Sequence, residues 1–128
     1  MHSIIKRAAL AALLALPLAG LGAASARADC QIGWLRWGPS YAELRTTMRV
    51  TRNSACRKDL KTLDFVAMQE IAVTRRPQHG AAGKASKYDF AYKPNEGYTG
   101  TDAFEIDVTF DYNGRQGHSR LSFDVTVE

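Results

Sequence analysis

The chain has 128 residues, 17 basic against 13 acidic, 45% of them hydrophobic, with two cysteines. That length allows one domain and a leader, and the apolar content is that of a chain able to build a core. Three of the basic residues (Lys6, Arg7, Arg27) and none of the acidic ones fall in the first 28 positions, so the remainder carries only +1, which excludes a general electrostatic attraction to nucleic acid.

Residues 1–28 read as a secretory signal peptide. Lys6 and Arg7 give a basic start, Ala8 to Leu16 an apolar run closed by Pro17, and Ala26-Arg27-Ala28 the small residues a signal peptidase inspects. The apolar run is too short for a membrane span, and no second run of that length follows. The expected product is a single domain over 29–128, soluble, and periplasmic or secreted to the extracellular space. Asp29 beside Cys30 argues against lipid attachment there.

Cys30 and Cys56, the only cysteines, lie in the exported part and read as one disulfide. The bridge closes a loop of about 26 residues, worth roughly 3 kcal/mol in the chain-entropy account. Gln31 to Trp37 is a short aromatic-rich segment ending at the Gly38-Pro39 turn, and reads as an edge strand. Glu43 to Thr51 alternates, with Leu44, Thr46, Met48 and Val50 on one face and Arg45 and Arg49 in a basic row on the other. Arg52 to Lys58 reads as a loop. Leu60 to Val73 loses its register after Ala67; Leu60, Leu63 and Ala67 leave one or two helical turns open, but the favoured reading is two short strands or one strand bulged near Met68 to Glu70. Arg75 to Gly83, with Pro77, Gly80 and Gly83, reads as irregular.

The last third is plainer. Tyr88, Phe90 and Tyr92 alternate up to Pro94. Phe104, Ile106, Val108 and Phe110 form one apolar row, and Leu121, Phe123, Val125 and Val127 another. Asn113-Gly114 between them predicts a hairpin turn. About seven strands and no long helix predict an all-β, antiparallel sandwich.

The run Pro77-Gln78-His79-Gly80, then Tyr92-Lys93-Pro94-Asn95, Gly97-Tyr98, Gly100, Asp102, Phe104 and a terminal Val125-Thr126-Val127 resembles the cadherin-like and immunoglobulin-like repeat modules of bacterial surface and secreted proteins. Their pattern is a P-x-H-G turn, Y-x-P-N, an aromatic, G-x-D-x-F and a V-x-V strand. The likeness covers about half of residues 29–128; the first half, with its disulfide and Trp pair, lies outside it. It implies an immunoglobulin-like Greek-key sandwich and an extracytoplasmic, non-enzymatic role. In that corner Pro94 ends a strand, Gly100 takes a conformation closed to other residues, and Asp102 accepts backbone N–H groups. Tyr98 and Phe104 fill the end of the core.

Catalytic chemistry is not legible. His118 and Ser119 are neighbours on a strand and must point to opposite faces. No G-x-S-x-G, H-E-x-x-H or phosphate-cradling loop occurs. No cofactor is implied. For calcium, Glu105, Asp107 and Asp111 are spaced too widely along one strand, and Asp102 is a weak candidate better explained as a corner acceptor. Trp34 and Trp37 could stack on sugar or on a partner, although a small sandwich needs large residues to close its core ends and burial is the favoured reading for both. Arg45 and Arg49 could meet acidic groups, although cross-strand ion pairs are the plainer outcome. The reading is a monomeric, non-enzymatic module for protein interaction or surface-associated structure, with a protein or glycan partner. The alternatives are a carbohydrate-binding module using Trp34 and Trp37, and a periplasmic inhibitor or accessory subunit of an enzyme.

Overall fold

The computed structural model describes residues 29–61 and 66–128. The leader at 1–28 and the alternation through Leu63 and Phe65 lie outside the described residues. All the regular structure described is β. The strands are β1 (Cys30–Ile32), β2 (Glu43–Val50), β3 (Cys56–Asp59), β4 (Val66–Arg75), β5 (Gly80–Ser86), β6 (Asp89–Pro94), β7 (Gly100–Tyr112) and β8 (Arg115–Val127). Five form a sheet in the order β1-β2-β8-β7-β4, and three form a second sheet in the order β3-β6-β5.

The β7–β8 hairpin arises as its alternation predicts. Tyr112 pairs with Arg115, and the two loop residues between them, Asn113 and Gly114, both hold positive φ (53° and 78°). That handedness matches the twist of the flanking strands. Phe104, Ile106, Val108 and Phe110 from β7 and Leu121, Phe123 and Val125 from β8 are buried, while the residues between them reach toward solvent. Across the sandwich β6 contributes Phe90 and Tyr92, both fully buried. Tyr92 stacks on Phe104 at 5.4 Å, and Phe104 on Phe123 at 4.7 Å, so a column of aromatic rings bridges the two sheets. Such offset stacks add to the large apolar area each ring removes from water. Strand β4 carries the expected irregularity, a register shift between Met68 and Glu70.

Four expectations are corrected. The sheet is not wholly antiparallel, because β2 runs parallel to β8, from Glu43↔Arg120 to Val50↔Val127. These strands are distant in sequence, so no tight turn dictates their relative direction. The Gln31–Trp37 segment is a strand only as far as Ile32; Gly33 still donates its N–H to the Thr47 carbonyl of β2, and beyond it, from Trp34 to Trp37, the pairing does not continue. Cys56 lies in a strand, β3, which pairs with β6 from Cys56↔Tyr92 to Asp59↔Asp89. Finally, Gly80 to Gly83 belong to β5, pairing with Pro94 to Ala91. An edge strand needs a partner on one side only, and small residues suit close approach. A Cβ on Gly80 would lie 2.6 Å from the Lys93 carbonyl oxygen.

Cys30 and Cys56 are bonded, with Cα atoms 5.1 Å apart. Because β1 belongs to the large sheet and β3 to the small one, the bridge ties the two layers together at one edge.

Candidate functional site

The Asp102 corner is closed upon itself. Asp102 Oδ1 accepts the backbone N–H of Gln78 (2.9 Å) and of Ala103 (2.9 Å). Its Oδ2 accepts the His79 N–H (3.1 Å) and the Tyr92 hydroxyl (2.8 Å). Four donors occupy the lone pairs that a cation would need. Burial, joined by the hydrogen bond to Asp102, pushes the Tyr92 phenol well above its usual range. Asn95 donates its N–H to the His79 carbonyl, and the Tyr98 N–H bonds back to Asn95. The Gly97 N–H donates to the Asn53 side chain. His79 lies flat on Tyr98 at 4.3 Å. Gly100 holds φ at 135°, and a Cβ there would sit 2.8 Å from the Tyr98 hydroxyl oxygen. Pro94 is the last residue of β6. A hollow of about 580 Å³ lies over this corner, but Asp102, His79 and Tyr98, which line it, are bonded or stacked within the fold.

The outer face of the five-stranded sheet is a ladder of ion pairs. Arg45 grips Asp124 with two hydrogen bonds, 2.8 and 3.0 Å, and Arg49 reaches Glu128 at 2.7 Å. The bidentate hydrogen bond from Arg45 holds the Asp124 carboxyl below its usual range. Asp107 faces Arg120 (3.4 Å) and His118 (3.6 Å), and Glu105 faces Arg75 (3.7 Å). His118 is exposed while its neighbour Ser119 is fully buried, so the two point to opposite faces.

The two tryptophans part company. Trp37 is 5% exposed and packs on Phe110 at 5.9 Å, whereas Trp34 is 58% exposed. A platform using both indoles is therefore excluded, since the core holds one of them. The loop between β1 and β2 is fixed by Ser119, whose buried hydroxyl accepts the Gly38 N–H at 2.8 Å. Gly38 to Tyr41 then closes a tight turn, with the Tyr41 N–H on the Gly38 carbonyl at 2.9 Å. This returns the Tyr41 ring edge-on to Trp34, at 5.8 Å and 70°. The Arg36 guanidinium lies over the Trp34 ring at 5.6 Å, a cation–π contact.

Beside this corner of rings is a groove of about 310 Å³. Leu35, Trp37, Tyr41 and Leu60 supply apolar walls, while among the described residues Arg36, Lys58 and Lys61 supply three cations against the carboxylate of Asp59. Sequence reasoning singles out Trp34 and Trp37 but not Arg36, Tyr41, Lys58 or Lys61. The Gly38-Pro39 turn could have placed Tyr41 near Trp34, but nothing local brings residues 58–61 across. Among the described residues no three His, Cys, Asp or Glu side chains converge as a metal site requires, and no helix is long and apolar enough to cross a membrane.

No family model matches the chain, and no curated protein matches it. Among solved structures it is similar to an endo-fucoidan hydrolase from glycoside hydrolase family 107, at 14% identity with a TM-score of 0.41. The match covers 73% of this chain but only 14% of that one. A likeness so distant establishes neither activity nor family.

Proposed function

We propose that the protein is an exported, non-enzymatic immunoglobulin-like module that works by holding a partner at its Trp34–Tyr41 end. Support for the immunoglobulin-like Greek key comes from the strand order: β3, β6 and β5 take the places of strands B, E and D, and β4, β7 and β8 those of C, F and G. The disulfide is weakly consistent with export to an oxidising compartment. The observation that carries the binding reading is Trp34 itself. It leaves a large indole in solvent beside a groove, while the other large aromatics near it are covered or half-covered. Exposed Trp braced by a second ring is the composition of an interaction hot spot.

The reading is tested by pull-down from extracytoplasmic fractions of the native host. Wild type is run beside Trp34→Ala and beside the double reversal Arg45→Glu with Arg49→Glu. Capture lost with Trp34→Ala and kept by the arginine reversal supports this surface. Capture lost only with the reversal moves the site to the sheet face, and a chain found solely in the cytoplasm refutes export.

A further inference from the structure

The groove beside Trp34 has a chemistry narrower than partner binding in general. Two of the backbone donors that line it, on Tyr41 and Leu60, are engaged within the fold, and the Gly38 turn beside it is anchored. Gly38 N–H bonds to Ser119, Tyr41 N–H to the Gly38 carbonyl, and Leu60 N–H to the Tyr88 carbonyl. An extended peptide is usually held by a free row of backbone donors and acceptors along its groove. What this groove presents most strongly is ring faces and side-chain cations. None of Arg36, Lys58 and Lys61 has a carboxylate ion-pair partner among the described residues, while Arg45, Arg49, Arg57, Arg75 and Arg120 each have one. Among the described residues three cations line the groove against one carboxylate, a balance that favours an anionic occupant. Two aromatic rings meeting at 70° offer a shelf and a side wall to a saturated ring with apolar C–H faces.

Resting on the module reading above, we infer that this groove binds an acidic polysaccharide, with one sugar ring laid on the Trp34–Tyr41 corner and its carboxylate or sulfate groups met by Arg36, Lys58 and Lys61. Arg36 serves twice: it lies over one face of the indole, and its planar fork suits two-oxygen acceptors. The ion-paired sheet face offers no comparable site, because its arginines already hold carboxylates of the same chain.

The experiment titrates the purified protein, by Trp emission and by calorimetry, with four probes: an oligogalacturonate, a sulfated chondroitin oligosaccharide, a neutral cello-oligosaccharide and an oligo-aspartate peptide. Saturable binding of either acidic saccharide is expected, at least about tenfold tighter than the neutral one and weakened by salt at roughly 0.5 M. Preference between the first two probes distinguishes carboxylate from sulfate as the anionic source. Trp34→Ala should weaken binding by about tenfold or more with an unchanged melting temperature, since the side chain is exposed. Lys58→Gln with Lys61→Gln should weaken the acidic saccharides and leave any neutral binding unmoved. Equal affinity for the neutral oligosaccharide overturns the proposal, and so does tighter binding of the peptide. If no saccharide binds while the pull-down still returns a Trp34-dependent partner, this inference falls and the module reading stands. If the pull-down fails too, both fall.

Discussion

The two ends of the sandwich use similar residues to opposite effect. At one end, where Gly100 pairs with Val127, the Asp102 corner gathers Pro94, Gly97, Tyr98 and Gly100 and ties its carboxylate to four donors of the fold. At the other, where Phe110 meets Trp37, the Gly33–Tyr41 loop gathers Gly, Pro and aromatics and leaves Trp34 and Arg36 facing water. A dense motif is not a sign of a functional surface. The corner is dense because a sharp connection must satisfy its own backbone, and one carboxylate with four donors does so. The loop is sparse in hydrogen bonds beyond the Gly33–Thr47, Gly38–Ser119 and Gly38–Tyr41 contacts, and it leaves the Trp34 and Arg36 side chains available to a ligand.

The difference can be broken by mutation. Asp102→Ala should have the largest effect, because it strands the Gln78 and His79 N–H groups and the Tyr92 hydroxyl. A loss of about 4 kcal/mol in denaturant unfolding is expected, with saccharide or partner binding by the folded fraction unaffected. Next comes the disulfide. Cys30→Ser with Cys56→Ser should cost about 3 kcal/mol and fray β1 first, read by hydrogen exchange. Intact binding in both variants would confirm that the ends are independent; binding lost in step with stability would erase the distinction.

A pH series sharpens the contrast further. The Tyr92 phenol titrates higher folded than unfolded, so its contribution is whole below its usual value of 10.0 and is lost as pH rises above it. Stability should fall by up to about 1.4 kcal/mol per pH unit on that alkaline limb, and Tyr92→Phe should remove this share of the slope. The smallest effect belongs to the sheet face. Asp124 titrates lower folded than unfolded, so its contribution is present above the usual 3.8 and fades as pH falls below it. Asp124→Asn should cost under about 1 kcal/mol at neutral pH, with the difference from wild type shrinking in acid.

Much of the fold was legible where neighbours in sequence decide it. Alternation in Phe104–Phe110 and Leu121–Val127, with Asn113-Gly114 between them, specifies the hairpin and its buried face. The broken register after Ala67 marks the bulge in β4. What could not be read depends on distant partners. The direction of β2 is set by where β8 lies, some seventy residues on, and β5 is a strand because β6 offers it an edge, despite its two glycines. The groove was half legible for the same reason. Two tryptophans three residues apart in an irregular segment carry no period that tells which one faces inward. The buried Ser119 hydroxyl settles it by anchoring Gly38 from across the chain, and Lys58 and Lys61 arrive only through the pairing of β3.

Parallel pairing of β2 with β8 has a consequence for how the molecule can be held. The Thr51 N–H bonds to the Asp29 carbonyl and the Arg52 N–H to that of Glu128, so both termini of the described domain leave from one corner. The Trp34 loop joins β2 at its other extremity, roughly 25 Å away at the usual strand rise. A tether fixed to either terminus would thus hold the start of β2, and the loop that enters it, away from whatever anchors the domain.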